Sequence, residues 1–182
     1  MRRLVLILLV LGLSVPAVAL GVRDLPGDGT LVVDNARGTV TVRARGGIIG
    51  RFDQGRVTIV DPILGDGGVP AVYGYDRINV LGPHTTVYVG EDIRFRLIGG
   101  AYRVTVQGSG MDISAVGRGV AILDGSGFSD QPGRFQVNGG TWQPMPDGSS
   151  TLTLGRAAST TTTTPSERDK GKSQVPPGGH QG

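Results

Sequence analysis

From Thr30 to Leu154 the chain alternates apolar and polar residues with a period of two. The pairs Leu31/Val33, Val40/Val42, Val57/Ile59, Ile78/Val80, Val87/Val89, Phe95/Leu97, Val104/Val106, Val120/Ile122, Phe135/Val137 and Leu152/Leu154 carry the pattern, with Thr, Arg, Gln, Asn or Asp mostly between them. A strand places successive side chains on opposite faces, so such a run buries one face and solvates the other; a helix would need spacings of three and four. No segment after residue 20 has helical spacing, and the expectation is an all-β domain.

Glycine-bearing punctuation separates the runs, at Gly46-Gly47, Gly65 to Gly68, Gly99-Gly100, Gly108 to Gly110, Gly125 to Gly127 and Gly139-Gly140, and reads as tight turns between short strands. Ile48-Ile49, Ile113 to Val116 and Phe128 could supply further weak strands. Arg56-Val-Thr-Ile-Val, Arg77-Ile-Asn-Val and Arg103-Val-Thr-Val resemble one another. That loose repeat predicts a short-strand β-solenoid or β-roll; a β-sandwich, or a closed barrel, meets the same pattern.

The domain is bounded by two segments of different composition. Arg2 and Arg3 precede an apolar run from Leu4, and Ala17-Val18-Ala19 ends it, which is the basic, apolar and A-x-A order of a secretory signal peptide over 1–19 with a signal helix and cleavage before Leu20. Uncleaved, the charge-free stretch 4–20 would instead be a membrane anchor at the short end of the usual length. The β-rich domain is assigned to 20–155. Beyond it, 156–182 is a Thr/Pro/Gly-rich stretch with no apolar face to offset ordering entropy, expected to be a disordered tail; its Thr run also has the composition of a glycosylated stalk.

Charge and cysteine content narrow the function. Between Leu20 and Arg156 there are 13 arginines and 13 carboxylates and no lysine, so the domain is neutral overall and nucleic acid is not expected as a partner. Without cysteine there is neither a disulfide nor a thiolate metal site. His84 lies in Gly-Pro-His-Thr-Thr and reads as a turn residue, because Asp76, Glu91 and Asp92 stand at no metal-ligand spacing from it. Ser109 and Ser126 sit between glycines and form no nucleophile elbow, and the Gly108 and Gly125 motifs lack the third glycine and following helix of a phosphate loop. No cofactor is expected.

Weak candidate sites remain. Asp61, Asp66, Asp112 and Asp124 border strands, where two carboxylates in neighbouring strands could sit at glycosidase separation, although Asp beside Gly is also ordinary turn chemistry. Asp66 in Gly65-Asp-Gly-Gly is the calcium candidate. Trp142, the single tryptophan, either plugs one end of the core or stacks on a ligand, and the plug is the favoured reading. Asp112, Asp124 and Trp142 are therefore the ligand-binding candidates.

The stretches Arg94 to Gly127 and Gly133-Arg-Phe-Gln-Val-Asn-Gly-Gly-Thr-Trp-Gln-Pro-Met-Pro resemble uncharacterised exported β-rich proteins of high-GC, actinobacterial-type genomes. The resemblance implies export and β-structure and brings no catalytic residue. The resulting expectation is a secreted or cell-envelope β-domain that binds or scaffolds without being an enzyme, its partner a cell-surface polysaccharide or another envelope protein. The alternatives are a polysaccharide-active enzyme using paired Asp residues, and the extracytoplasmic part of an N-terminally anchored membrane complex.

Overall fold

The computed structural model describes residues 27–127, 130 and 132–155. The signal or anchor assigned to 1–19 and 4–20, Phe128, and the tail 156–182 lie outside the described residues. Among the described residues seven strands follow in chain order: β1 (Gly29–Val60), β2 (Ala71–Gly82), β3 (Thr85–Leu97), β4 (Ala101–Asp124), β5 (Arg134–Val137), β6 (Gln143–Pro144) and β7 (Ser150–Leu154). All strand pairings are antiparallel, in the order β2-β3-β1-β4-β7, with β5 on β1 and β6 on β5. The described residues contain no helix, and the all-β expectation holds.

β1 and β4 are long because they pair with each other twice. Ala115 faces both Leu31 and Ile48, and Val40 faces both Val106 and Leu123, so the two registers lie 17 residues apart and use opposite edges of each strand. The pairings fall into two groups. One joins 93–97, 48–52, 112–116, 30–33 and β5; the other joins 85–89, 56–60, 103–107, 39–45, 118–124 and β7. A single apolar core draws on both, with Leu31, Phe52, Phe95 and Ile113 from the first and Val42, Val57, Val104 and Leu123 from the second.

Two expectations about glycine and phase are corrected. Gly46-Gly47 and Gly108 to Gly110 are not turns: they lie inside β1 and β4, where the chain passes from one group of pairings to the other. Gly46 faces Gly117. A Cβ on Gly46 would stand 2.1 Å from the Val116 carbonyl oxygen, and one on Gly117 would stand 2.2 Å from that of Arg45. Glycine serves here for close approach of two backbones, a use that sequence does not distinguish from a turn.

The inward-facing set also differs from the expected one. Val104 and Val106 are buried, and past the bend at Gly108 to Gly110 the inward set is Met111, Ile113 and Ala115, then Ala121 and Leu123. The inward phase therefore continues through Gly117 and Gly119, and Val120 and Ile122 are only half-buried. Four consecutive apolar residues, Val120 to Leu123, permit either phase; pairing with β1 decides it. Ile78 and Val80 also depart from expectation, being 46% and 69% exposed on β2.

Candidate functional site

The alternation that turns Val33, Phe95 and Ile113 inward turns Val32, Asp34, Arg94, Arg96, Asp112 and Ser114 outward. These outward positions lie on neighbouring segments of the first pairing group and, with Ile49 and Arg51, line an open groove of about 780 Å³. Val32 and Ile49 contribute apolar surface, and the arginines and carboxylates contribute charge.

Trp142 closes one side of the groove. It stands 43% exposed and outside the core, which corrects the plug reading. The Arg134 guanidinium carbon lies 4.7 Å from the centre of the indole ring, and its Nε donates to Asp34 Oδ2 at 2.7 Å. Asp34 on β1 thus holds Arg134 on β5, and Arg134 braces one face of the indole by a cation–π contact.

Asp112 is tied down on both oxygens. Its Oδ1 accepts the backbone N–H of Asn35 at 2.8 Å, and its Oδ2 accepts Arg51 Nε at 2.9 Å and lies 2.7 Å from Arg51 Nη2. Asn35 has a positive φ of 47°, so this carboxylate also secures an irregular point in β1.

Arg94 lies directly opposite Arg51 across the β1–β3 pairing. Like charges so placed disfavour the sheet, and Arg51 alone of the two has a carboxylate partner among the described residues. Arg94 and Arg96 are exposed and unpaired among the described residues. With Arg134, the groove carries four guanidinium groups against the two carboxylates of Asp34 and Asp112. The neutral domain is therefore not neutral here.

The other candidates lie elsewhere. Asp66 forms an ion pair with Arg45 at 3.0 Å and accepts the Ala101 N–H at 3.2 Å on each oxygen. No cluster of three His, Cys, Asp or Glu side chains suited to a metal ion occurs among the described residues. Asp124 accepts the Ser126 hydroxyl at 2.6 Å and its backbone N–H at 3.0 Å. The Ser126 hydroxyl bond, and then the backbone one, hold this carboxyl below its ordinary value. This is a local Asx turn at the end of β4.

Asp61 Oδ1 accepts the Ile63 N–H at 3.2 Å, and its carbonyl lies 2.8 Å from His84 Nδ1 in the β2–β3 turn. Of the three ligand-binding candidates singled out from sequence, Asp112 and Trp142 come together on the groove and Asp124 does not. The arginines and Asp34 were missed, although Arg94-Phe95-Arg96, with a core residue between two outward cations, carried the signal.

No known protein family, curated protein or solved structure matches the chain.

Proposed function

We propose that this is an exported or cell-envelope β-domain that binds an acidic polysaccharide along the Trp142 groove without cleaving it. The carrying observation is the pairing of a half-exposed indole with Arg94 and Arg96, which no carboxylate among the described residues neutralises. A sugar ring offers C–H groups to an aromatic face and hydroxyls to polar neighbours, and uronate carboxylates match guanidinium forks. Asp34 and Asp112, the carboxylates on the groove, are each held by an arginine, which supports a positioning role over an acid–base pair. Export rests on the basic, apolar and A-x-A order of residues 2–19.

For the architecture we favour the sandwich over the solenoid. Its support is the antiparallel double pairing of β1 with β4 and the glycine pairs at the crossings, since strands that switch sheets do so at such bends. Trp142 is the single tryptophan, so its emission reports on the groove. Polygalacturonate should blue-shift or quench that emission saturably in low salt, and neutral dextran should not. Arg94→Gln/Arg96→Gln should weaken the response at least tenfold. An unchanged titration in that variant would refute the groove, and release of reducing ends during incubation would refute binding without cleavage.

A further inference from the structure

A second basic surface lies on the other group of pairings and does not depend on the groove. Arg43 on β1 directly faces Arg103 on β4, and Arg45 directly faces Arg118. Their neighbours Val42, Ala44, Tyr102 and Val104 are buried, so all four guanidinium groups project from the outer face. They line a hollow of about 280 Å³ with Pro62 and Tyr102.

The two arginine pairs are treated differently. Arg45 has Asp66 at 3.0 Å, and Arg118 has Asp28 at 3.2 Å. Arg43 and Arg103 have no carboxylate among the described residues. Two like charges facing each other across a ladder work against strand pairing, and nothing in the described structure offsets this pair.

We propose that Arg43 and Arg103 form a site for a tetrahedral oxyanion, the phosphate or sulfate group of a phosphorylated or sulfated ligand. Two guanidinium forks from opposite strands need more acceptors than the two oxygens of one carboxylate, which a single fork already engages; a phosphate or sulfate has three or more. Asp28 and Asp66 neutralise the flanking arginines and leave the charge concentrated on the inner pair. The site is exposed, so its occupancy falls with ionic strength.

The test is thermal melting of the full chain in low salt, with added inorganic phosphate or sulfate compared against chloride at equal ionic strength. The oxyanions should raise the wild-type Tm by several degrees beyond chloride. Arg43→Gln/Arg103→Gln should remove that increment and, without oxyanion, should melt no lower than wild type, because the repulsion is gone. Arg77→Gln, on β2 and outside both the groove and the hollow, should keep the increment. Arg103→Gln alone should likewise lose most of the increment and show no lower oxyanion-free Tm.

Sedimentation with phosphatidylglycerol vesicles distinguishes sources of the phosphate. Binding that the Arg43→Gln/Arg103→Gln variant loses assigns a lipid headgroup, and a phosphate-dependent Tm without vesicle binding assigns a free or polymer-borne group. Equal responses of all variants to phosphate, or a lower oxyanion-free Tm in the double variant, would overturn the site.

Discussion

β1 and β4 on one side, and β2 on the other, have the same alternating composition and opposite fates. β1 and β4 bury every second residue over most of their length, Leu31, Val42, Val57, Val104 and Ile113 among them. β2 stands at one edge of the strand order, pairs among the described residues only with β3, and leaves Tyr73, Val80 and Leu81 66%, 69% and 70% exposed. Alternation qualifies a strand for half-burial, but a second group of strands has to cover the apolar face. β1 and β4 supply that cover for each other by pairing twice; β2 lies beyond it. Its bulged register at Tyr73, Tyr75 and Val80, with Asp76 and Arg77 at its middle, also suits an edge that must not recruit other strands.

The comparison breaks most sharply at Val104 and Val80. Val104→Asp should place an unpaired charge in the core and destabilise by several kcal/mol, about 3 or more, whereas Val80→Asp on the exposed strand should cost roughly 0.5 kcal/mol or less. Urea unfolding of the two variants measures this directly. Similar losses would mean that β2 is covered in solution, and the contrast between the regions would fail.

Glycine gives the next largest effect. Gly46→Ala should cost about 2 kcal/mol or more, because the new Cβ meets the Val116 carbonyl oxygen at 2.1 Å and the backbone φ of 152° disfavours a side chain. Gly82 ends β2 in open space, with no atom within 4 Å of where an alanine methyl would stand, and Gly82→Ala should be neutral within roughly 0.5 kcal/mol. Comparable melting temperatures would show that β1 and β4 can separate at their crossing without penalty.

These contrasts also show what the sequence made legible. Inward positions of Val40, Val57, Phe95 and Val104 follow from local alternation, a property each strand carries by itself. The long strands do not, because Gly46 and Gly108 look alike as turn residues and as contact points, and only the partner strand separates the two. Phase was lost for the same reason at Val120, where an unbroken apolar run left the decision to register. The site was half legible. Asp112 and Trp142 stood out by residue type and Arg94-Phe95-Arg96 carried a local signal, while Arg51 and Asp34 acquire meaning only when residues distant in sequence become neighbours across the strands.

Two tyrosines, one on each of the strands β3 and β4 that pair with β1, link stability to alkaline pH. Burial first, then the Asp61 and Asp66 carboxylates, push the Tyr102 phenol on β4 above its ordinary 10.0; burial, then Tyr75, pushes up Tyr88 on β3. A raised folded-state value means that the neutral phenol is favoured in the folded chain. Its stabilising contribution is complete below the unfolded value near 10 and is lost as pH rises through the raised one. Unfolding free energy should therefore decline above about pH 10, and Tyr102→Phe or Tyr88→Phe should each flatten that decline. An alkaline limb unchanged in both variants would exclude these phenols as its source.

The smallest effect is expected at His84, the one histidine of the β-rich domain. Its Nδ1 lies 2.8 Å from the Asp61 carbonyl oxygen, while a separate backbone bond from Asp61 N–H to the His84 carbonyl, at 2.9 Å, closes the same contact without the side chain. The imidazole is exposed, so His84→Ala exchanges one solvated hydrogen bond for water and should cost about 0.5 kcal/mol. It lines neither the Trp142 groove nor the Arg43 hollow, and the polygalacturonate titration should be unchanged. A folded His84→Ala protein with a lost response would move the functional surface to the β2–β3 turn. It would also return acid–base chemistry to consideration, since imidazole is the side chain best suited to it near neutral pH.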